Sequence, residues 1–291
     1  MIFQFLIDGI ILGSTYALLT SGYALLIGTL YLLNLAHADT FMIGAFLGLT
    51  FVSVLQMPFF VALIAASICS GILAVGVYFT SFRFVKSEYM DVAPFLSSIA
   101  MGMILQVVAS EIWGTLQSAF PETIQVTQYH IGPIILSSIQ LVVLLVANGL
   151  MVALYCLLTF SKVGKALRAI CEDSTLAQLL GVKASRIILF TFFISGVLAG
   201  VAGVLIGFLF GAIEPFMGAT VGLKGIGIMV LGGLGNVIGA MVAAMIMGIA
   251  EVLTAGYFSA SYRDAIVWGV LILVLLFKPG GLFGTRIQEG R

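Results

Sequence analysis

Residues 187–210 read IILFTFFISGVLAGVAGVLIGFLF, an unbroken run without one charged side chain. As a helix rising 1.5 Å per residue, such a run matches the hydrocarbon core of a bilayer, about 30 Å. Runs of the same kind occupy 59–82 and 266–277. A membrane β-strand alternates apolar and polar residues over about ten positions. These runs do not alternate, so helices are the spanning elements. Outward from these segments the composition agrees. Of 291 residues, 62% are hydrophobic and 8% charged, with a mean hydropathy of +1.23. A soluble domain carries roughly 25% charged residues, so cytosolic enzymes, secreted domains, disordered tails and coiled coils are excluded. The expected fold is an all-α integral membrane protein, a polytopic bundle of about eight to ten transmembrane helices forming a single domain over 1–291.

The formal net charge is zero, which argues against a nucleic-acid partner. Cys69, Cys156 and Cys171 form no CxxC pair, so no disulfide framework or metal site is implied. Ala36-His37-Ala38 imitates a signal-peptidase site, yet the first basic residue is Arg83 and the apolar stretch before Ala36 is far longer than an h-region. A retained membrane segment is expected there.

Ten of the twelve Lys and Arg residues fall in three groups. Arg83 and Lys86 form the first. Lys162, Lys165, Arg168, Lys183 and Arg186 form the second, and Lys278, Arg286 and Arg291 the third. The positive-inside rule puts all three on the cytoplasmic side. Residues 114–138 have no base but carry Pro121, Glu122, His130 and Pro133, and read as an outside loop. Two crossings, 92–113 and 139–160, then join the first two groups. The 36 residues of 221–256 would make a helix of about 54 Å. The run Gly232-Gly233-Leu234-Gly235-Asn236 breaks it, so two helices are expected, the first short. The first 50 residues hold two or three helical pieces with a polar interruption at 34–39. Small-residue spacings such as Gly196/Gly200 and Gly200/Gly203 suit close helix packing.

The segment 161–186 reads SKVGKALRAICEDSTLAQLLGVKASR. On a helical wheel Val163, Ala166, Leu167, Ile170 and Cys171 share one half, and Lys162, Lys165, Arg168 and Glu172 the other. Asp173 or Ser174 is placed to cap a second short helix over 175–180, which Gly181 would end. Two readings stand. The helix lies on the membrane surface with its bases toward anionic headgroups, or it docks into another protein, which the acids Glu172 and Asp173 favour.

Four blocks resemble branched-chain amino acid ABC transporter permeases. Gly164-Lys165-Ala166-Leu167-Arg168-Ala169-Ile170, Glu172-Asp173, Ala177 and Leu180-Gly181-Val182 are similar to that family's cytoplasmic loop. Tyr16-Ala17-Leu18, Asn34-Leu35-Ala36-His37-Ala38-Asp39 and Ile43-Gly44-Ala45 resemble its first block. Gly232 to Asn236, Gly239-Ala240 and Glu251 resemble the third, and Lys278-Pro279-Gly280-Gly281-Leu282-Phe283-Gly284 the terminal one. They run in order from about residue 12 to 284. Length and early start resemble the shorter (LivH-type) permease subunit. Ala38, Leu35, Asn236 and Ser174 depart from the family's usual glycine, phenylalanine, serine and proline. The first three touch pore-side blocks and so bear on substrate identity.

The resemblance implies a subunit of an ABC importer in the cytoplasmic (inner) membrane. Its implied partners are a second permease subunit, two ATP-binding subunits and an extracytoplasmic substrate-binding protein. No G-x-x-x-x-G-K-[ST] P-loop occurs in the sequence. ATP would therefore be used by the partners, and no cofactor is expected on this chain, nor any enzymatic site of its own. ATPase coupling would fall to Gly164, Lys165, Leu167, Arg168, Glu172, Asp173 and Gly181. A substrate pathway needs polar groups at membrane depth, where ionisable side chains cost roughly 2.5–3.5 kcal/mol. The candidates are Asn34, His37 and Asp39, the break at Gly232, Gly233, Gly235 and Asn236, and Glu251. Glycines at the break could leave helix-end groups free to face a zwitterion. Structural alternatives stand beside these. Asp39 caps the following helix, His37 bonds a backbone carbonyl at a helix end, and Glu251 pairs with Lys224 or Arg263. Urea, a short amide or another small polar solute is the alternative cargo, and an ion-coupled carrier the alternative class.

Overall fold

The computed structural model describes residues 2–30, 33–84, 92–121, 127–131 and 134–284. Lys86, Glu122, Pro133, Arg286 and Arg291 lie outside the described residues. Eleven α-helices are described: α1 (Ile2–Leu30), α2 (Ala36–Ser53), α3 (Phe59–Val77), α4 (Ala93–Trp113), α5 (Ser138–Phe160), α6 (Lys162–Glu172), α7 (Ser174–Leu179), α8 (Ala184–Phe210), α9 (Met217–Gly232), α10 (Val237–Tyr257) and α11 (Arg263–Phe277). A π-helical turn, Tyr78–Arg83, prolongs α3. Seven helices (α1, α2, α3 with its π turn, α4, α5, α8 and α10) are long and apolar enough to cross a membrane. The chain is a multi-pass membrane protein. The shorter α9 and α11 have 16 and 15 residues. The break at 232–236 separates α9 from α10 as expected, although α9 starts four residues before the expected range. The first 50 residues form two helices rather than three.

The stretch 114–138 is not all loop. Strand β1 (Ser118–Ala119) pairs with β4 (Ala212–Ile213), and β2 (Gln128–Ile131) with β3 (Ile134–Ser137), both antiparallel. A capping box starts α5: Ser137 accepts from the Gln140 amide and the Gln140 side chain accepts from Ser137 N–H.

Helix α1 is the central element, buried almost continuously from Ile11 to Leu26. It runs antiparallel to α10. Gly9 abuts Ile249, and Gly13 abuts Met245 and Gly248, so the backbones touch where a side chain would separate them. The rings of Phe5 and Tyr257 meet at one end, and Gly28 meets Gly235 at the other. The expected small-residue packing holds on α8. Gly196 and Gly200 lie on Ser70 of α3, and Gly203 on Phe41 of α2.

Gln4 bonds the backbone of Ile135, which puts the β2–β3 hairpin at the Phe5 end. Following the passes from there brings Arg83, the α6–α7 segment and Lys278 out together at the opposite end. That is the clustering the positive-inside rule requires of one membrane face.

Candidate functional site

Helix α2 begins below the surface of the bundle, after Asn34 and Leu35. No side chain of its own caps it. The Leu35 N–H instead donates to Ser98 Oγ on α4 at 3.2 Å. His37 Nε2 lies 3.3 Å from the Leu19 carbonyl of α1, and its ring meets the Tyr23 ring edge-on at 4.6 Å. A carbonyl only accepts, so Nε2 is the protonated nitrogen and Nδ1 is left as an acceptor. The backbone-carbonyl role expected for His37 is therefore present, though the carbonyl belongs to the middle of α1.

Asp39 is 5% exposed and does not cap α2. Its Oδ1 accepts from the Gln106 side-chain amide of α4 at 2.8 Å. Glycines wall the carboxylate on both sides. A Cβ added at Gly218 of α9 would stand 2.9 Å from Asp39 Oδ1, and one at Gly102 of α4 would collide with Oδ2. Gly222 likewise abuts the Ala38 methyl group. Among the described residues, three buried polar atoms near this start of α2 lack a hydrogen-bond partner within normal geometry: Asn34 Oδ1, His37 Nδ1 and Tyr23 Oη, the last facing the Ala38 backbone. Buried polar groups are nearly always paired, so each unpaired one is a candidate for a passing ligand. With the Asp39 carboxylate, the group is rich in acceptors and suits a solute bearing N–H donors.

The glycine break lies elsewhere, at the end of the bundle that bears Lys278. Gly233 and Gly235 have φ of 112° and 75°, a region other residues avoid. Asn236 caps α10 by accepting from Gly239 N–H at 2.9 Å, and its amide donates to the Phe283 carbonyl at 3.1 Å. The last carbonyls of α9 are not free. Leu282 N–H bonds Leu231 O at 2.7 Å, and Phe283 N–H bonds Gly232 O at 3.2 Å. The Lys278–Gly284 tail thus supplies the missing cap, and these groups do not face open space.

Glu251, 1% exposed on α10, has both partners that sequence allowed it. Lys224 Nζ of α9 is 3.2 Å from Oε1 and also 2.7 Å from Asp264 Oδ1, and Arg263 Nε is 3.5 Å from Oε1.

At the Lys278 end, α6 buries Gly164, Leu167 and Ile170 and exposes Lys162, Lys165, Arg168 and Glu172. Gly164 sits against the Leu158 carbonyl, which also accepts from Arg168. Gly164 therefore holds α6 onto α5, and Leu167 is buried instead of facing outward. Burial, and the Glu172 carboxylate after it, push the Cys171 thiol up. Asp173 caps α7 through the amides of Thr175 and Leu176, at 2.7 and 3.0 Å. Gly181 ends the turn at φ 87°. Beyond α6, Leu176, Leu179 and Leu180 stand 58%, 79% and 84% exposed, while Ala177 is buried.

A sequence model of the family described as "Branched-chain amino acid transport system / permease component" matches residues 5–275. The chain belongs to this family. It is 35% identical to the high-affinity branched-chain amino acid transport system permease protein LivH of Escherichia coli strain K12, over 98% of this chain and 96% of that one. It is 32% identical to BraD of Pseudomonas aeruginosa, over 98% and 97%. A shorter match, 31% over 43% of this chain and 29% of the other, links it to the Salmonella typhimurium permease protein LivM.

Within this permease, sequence reasoning missed Gln106, Gly102 and Gly218, which complete the Asp39 site. A lone glutamine inside the apolar span 92–113 was the available signal. The second short helix expected over 175–180 is present as α7, Ser174–Leu179. Asn34, His37 and Asp39 are brought together. The Gly232–Asn236 break and Glu251 are not joined to them.

Proposed function

We propose that this chain is the membrane-spanning permease subunit of an ABC importer for branched-chain amino acids in the cytoplasmic (inner) membrane, with residues 1–291 as one permease domain. Its partners would be a second permease subunit, two ATP-hydrolysing subunits and an extracytoplasmic binding protein. The chain itself would be a transporter subunit without an ATPase site, and ATP would act only through the partners. Near-full-length similarity to proteins named for branched-chain amino acid transport carries this reading.

The pathway would pass the acceptor group at Asn34, His37 and Asp39, which suits the ammonium of an amino acid. Glu251 and the glycine break (Gly232, Gly233, Gly235 and Asn236) would shape its two ends. Coupling would use the exposed Lys165, Arg168, Glu172, Asp173 and Gly181, with Gly164 and Leu167 transmitting the movement to α5. Lever-like motion of such a packed helix pair between two states would link ATP use to the pathway.

A second reading, another small polar solute, is favoured by one relative. A permease protein of an autoinducer 2 import system from Yersinia enterocolitica is 33% identical over 44% of this chain and 38% of its own. Uptake of labelled leucine and of urea is the test, in cells producing this chain with and without its ATPase partners. Leucine uptake that vanishes without the ATPases supports the proposal. Uptake persisting on an ion gradient alone overturns it.

A further inference from the structure

Helix α9 has two working faces. Gly218, Gly222 and Gly225 press on α2 and α1, toward the Asp39 site. On the opposite side Thr220, Leu223 and Lys224 line a cleft of about 470 Å³ whose far wall is Arg263, Asp264 and Trp268 of α11. That volume is in the range of small-molecule sites, about 300–1,000 Å³.

The charges here balance, two of each sign, yet their bonding capacity is not filled. Lys224 has three N–H donors and two carboxylate partners, Glu251 and Asp264. Arg263 contributes one long pairing through Nε, which makes no hydrogen bond among the described residues. Glu251 Oε2, in a side chain 2% exposed, has no hydrogen-bond partner among the described residues, although the Tyr16 hydroxyl faces the same carboxylate. Asp264 offers a second oxygen beyond its bond to Lys224. A purely structural ion pair closes on itself. Here Lys224, Arg263 and Asp264 line the cleft together with the Trp268 indole, and Glu251 is not part of its lining. Glu251 and Lys224 are buried, with side chains 2% and 13% exposed, whereas Arg263 and Asp264 reach the surface at 33% and 67%, and an ionisable group at membrane depth marks a candidate site.

We propose that the α9–α11 cleft is a second station for the zwitterionic head group of an amino acid, with Arg263 and Lys224 taking its carboxylate and Asp264 its ammonium, while Trp268 covers its apolar side chain. The proposal rests on the permease reading above and adds to it a site separate from the Asp39 group. The cleft lies toward the Phe5 end of the bundle, since Glu251 stands two residues beyond Ile249, the partner of Gly9.

The chain has two tryptophans, and Trp113 is tied to Thr50 on α2, away from the cleft. Trp113→Phe therefore leaves Trp268 as the one indole of this chain, and subtracting the signal of the same complex carrying Trp113→Phe with Trp268→Phe removes the emission of the partners and scaffold. The full-length variant, assembled with its partners in nanodiscs, is titrated with leucine, 4-methylvalerate (carboxylate only) and isoamylamine (ammonium only). Leucine is expected to change Trp268 emission saturably, and the two half-molecules to bind at least about tenfold more weakly, as loss of one charge-assisted hydrogen bond dictates. Arg263→Gln should weaken leucine by a similar factor. The paired neutral variant Lys224→Gln with Glu251→Gln, which removes the two most buried charges together, should do the same if Lys224→Gln alone fails to fold. A flat response in a complex that transports leucine overturns the station and spares the permease reading. A saturable response without leucine uptake does the reverse. An equal response to leucine and isoamylamine overturns the zwitterion assignment.

Discussion

Gln106 on α4 and Asp39 on α2, 67 residues apart in sequence, meet through a 2.8 Å hydrogen bond from the glutamine amide to the carboxylate. The bond is the one side-chain link described from α4 to Asp39. It fixes a buried carboxylate between two glycine backbones, so disturbing either partner tests whether the group serves transport or only packing.

Asp39→Asn keeps the shape and removes the charge. Leucine uptake is expected to fall about tenfold or more while the chain still assembles with its partners. Gln106→Leu strands the carboxylate and should cost about 1–3 kcal/mol of stability. Both are read by uptake and by the thermal midpoint of the purified complex. Normal uptake in Asp39→Asn with a shifted midpoint would make the pair structural.

The glycine wall gives a second test. Gly102→Ala and Gly218→Ala place a methyl against Asp39, and uptake should drop in both. Gly149→Ala and Gly76→Ala enter open space. They should be neutral in uptake and stabilising by about 0.5–1 kcal/mol, the usual Gly-to-Ala gain inside a helix. Equal effects at all four positions would remove any special status from the site.

Coupling and packing separate along the 161–186 segment. Leu179→Asp or Leu180→Asp changes a side chain that touches little, so stability should move by less than about 0.5 kcal/mol. Recovery of the ATPase subunits with the tagged permease should nevertheless fall. Leu167→Ala should instead cost about 2–5 kcal/mol through loss of its core contacts. Arg168→Glu with Glu172→Lys should abolish uptake and leave the protein in the membrane. If the Leu179 and Leu180 variants copurify with full ATPase, the exposed leucines are not the docking face.

Asn236 holds two elements at once, the start of α10 and the tail carbonyl of Phe283. Asn236→Ala should destabilise by about 1 kcal/mol, the usual value of an N-cap. Asn236→Ser, which keeps the cap but cannot reach Phe283, should recover most of it. Proteolysis of the tail at Lys278, followed over time, would show the difference. Identical behaviour of the two variants would mean that the Phe283 bond contributes more than the cap.

Patterning alone was enough for the fold class, the breaks near 34–39 and 232–236, the Asp173 cap, the Gly181 stop and the clustering of bases at one end. Each depends on neighbours within a few positions or on the simple cost of charge in lipid. The expected partners of Glu251 were also legible, because few charges occur so deep and each must find its opposite. The strands at 118–119 and 212–213 were not legible, since pairing across more than 90 residues leaves no local period. Gln106 could be noticed but not matched to Asp39, and Gly102 and Gly218 resembled any other packing glycine. Which face of α9 meets Asp39 and which meets Arg263 was decided by how three helices dock on α1. The free ends of α9 were capped by a tail 50 residues downstream for the same reason. Helix formation in a bilayer is a local bargain between backbone and lipid, whereas the meeting of polar side chains at depth is a long-range one that only the packed bundle settles.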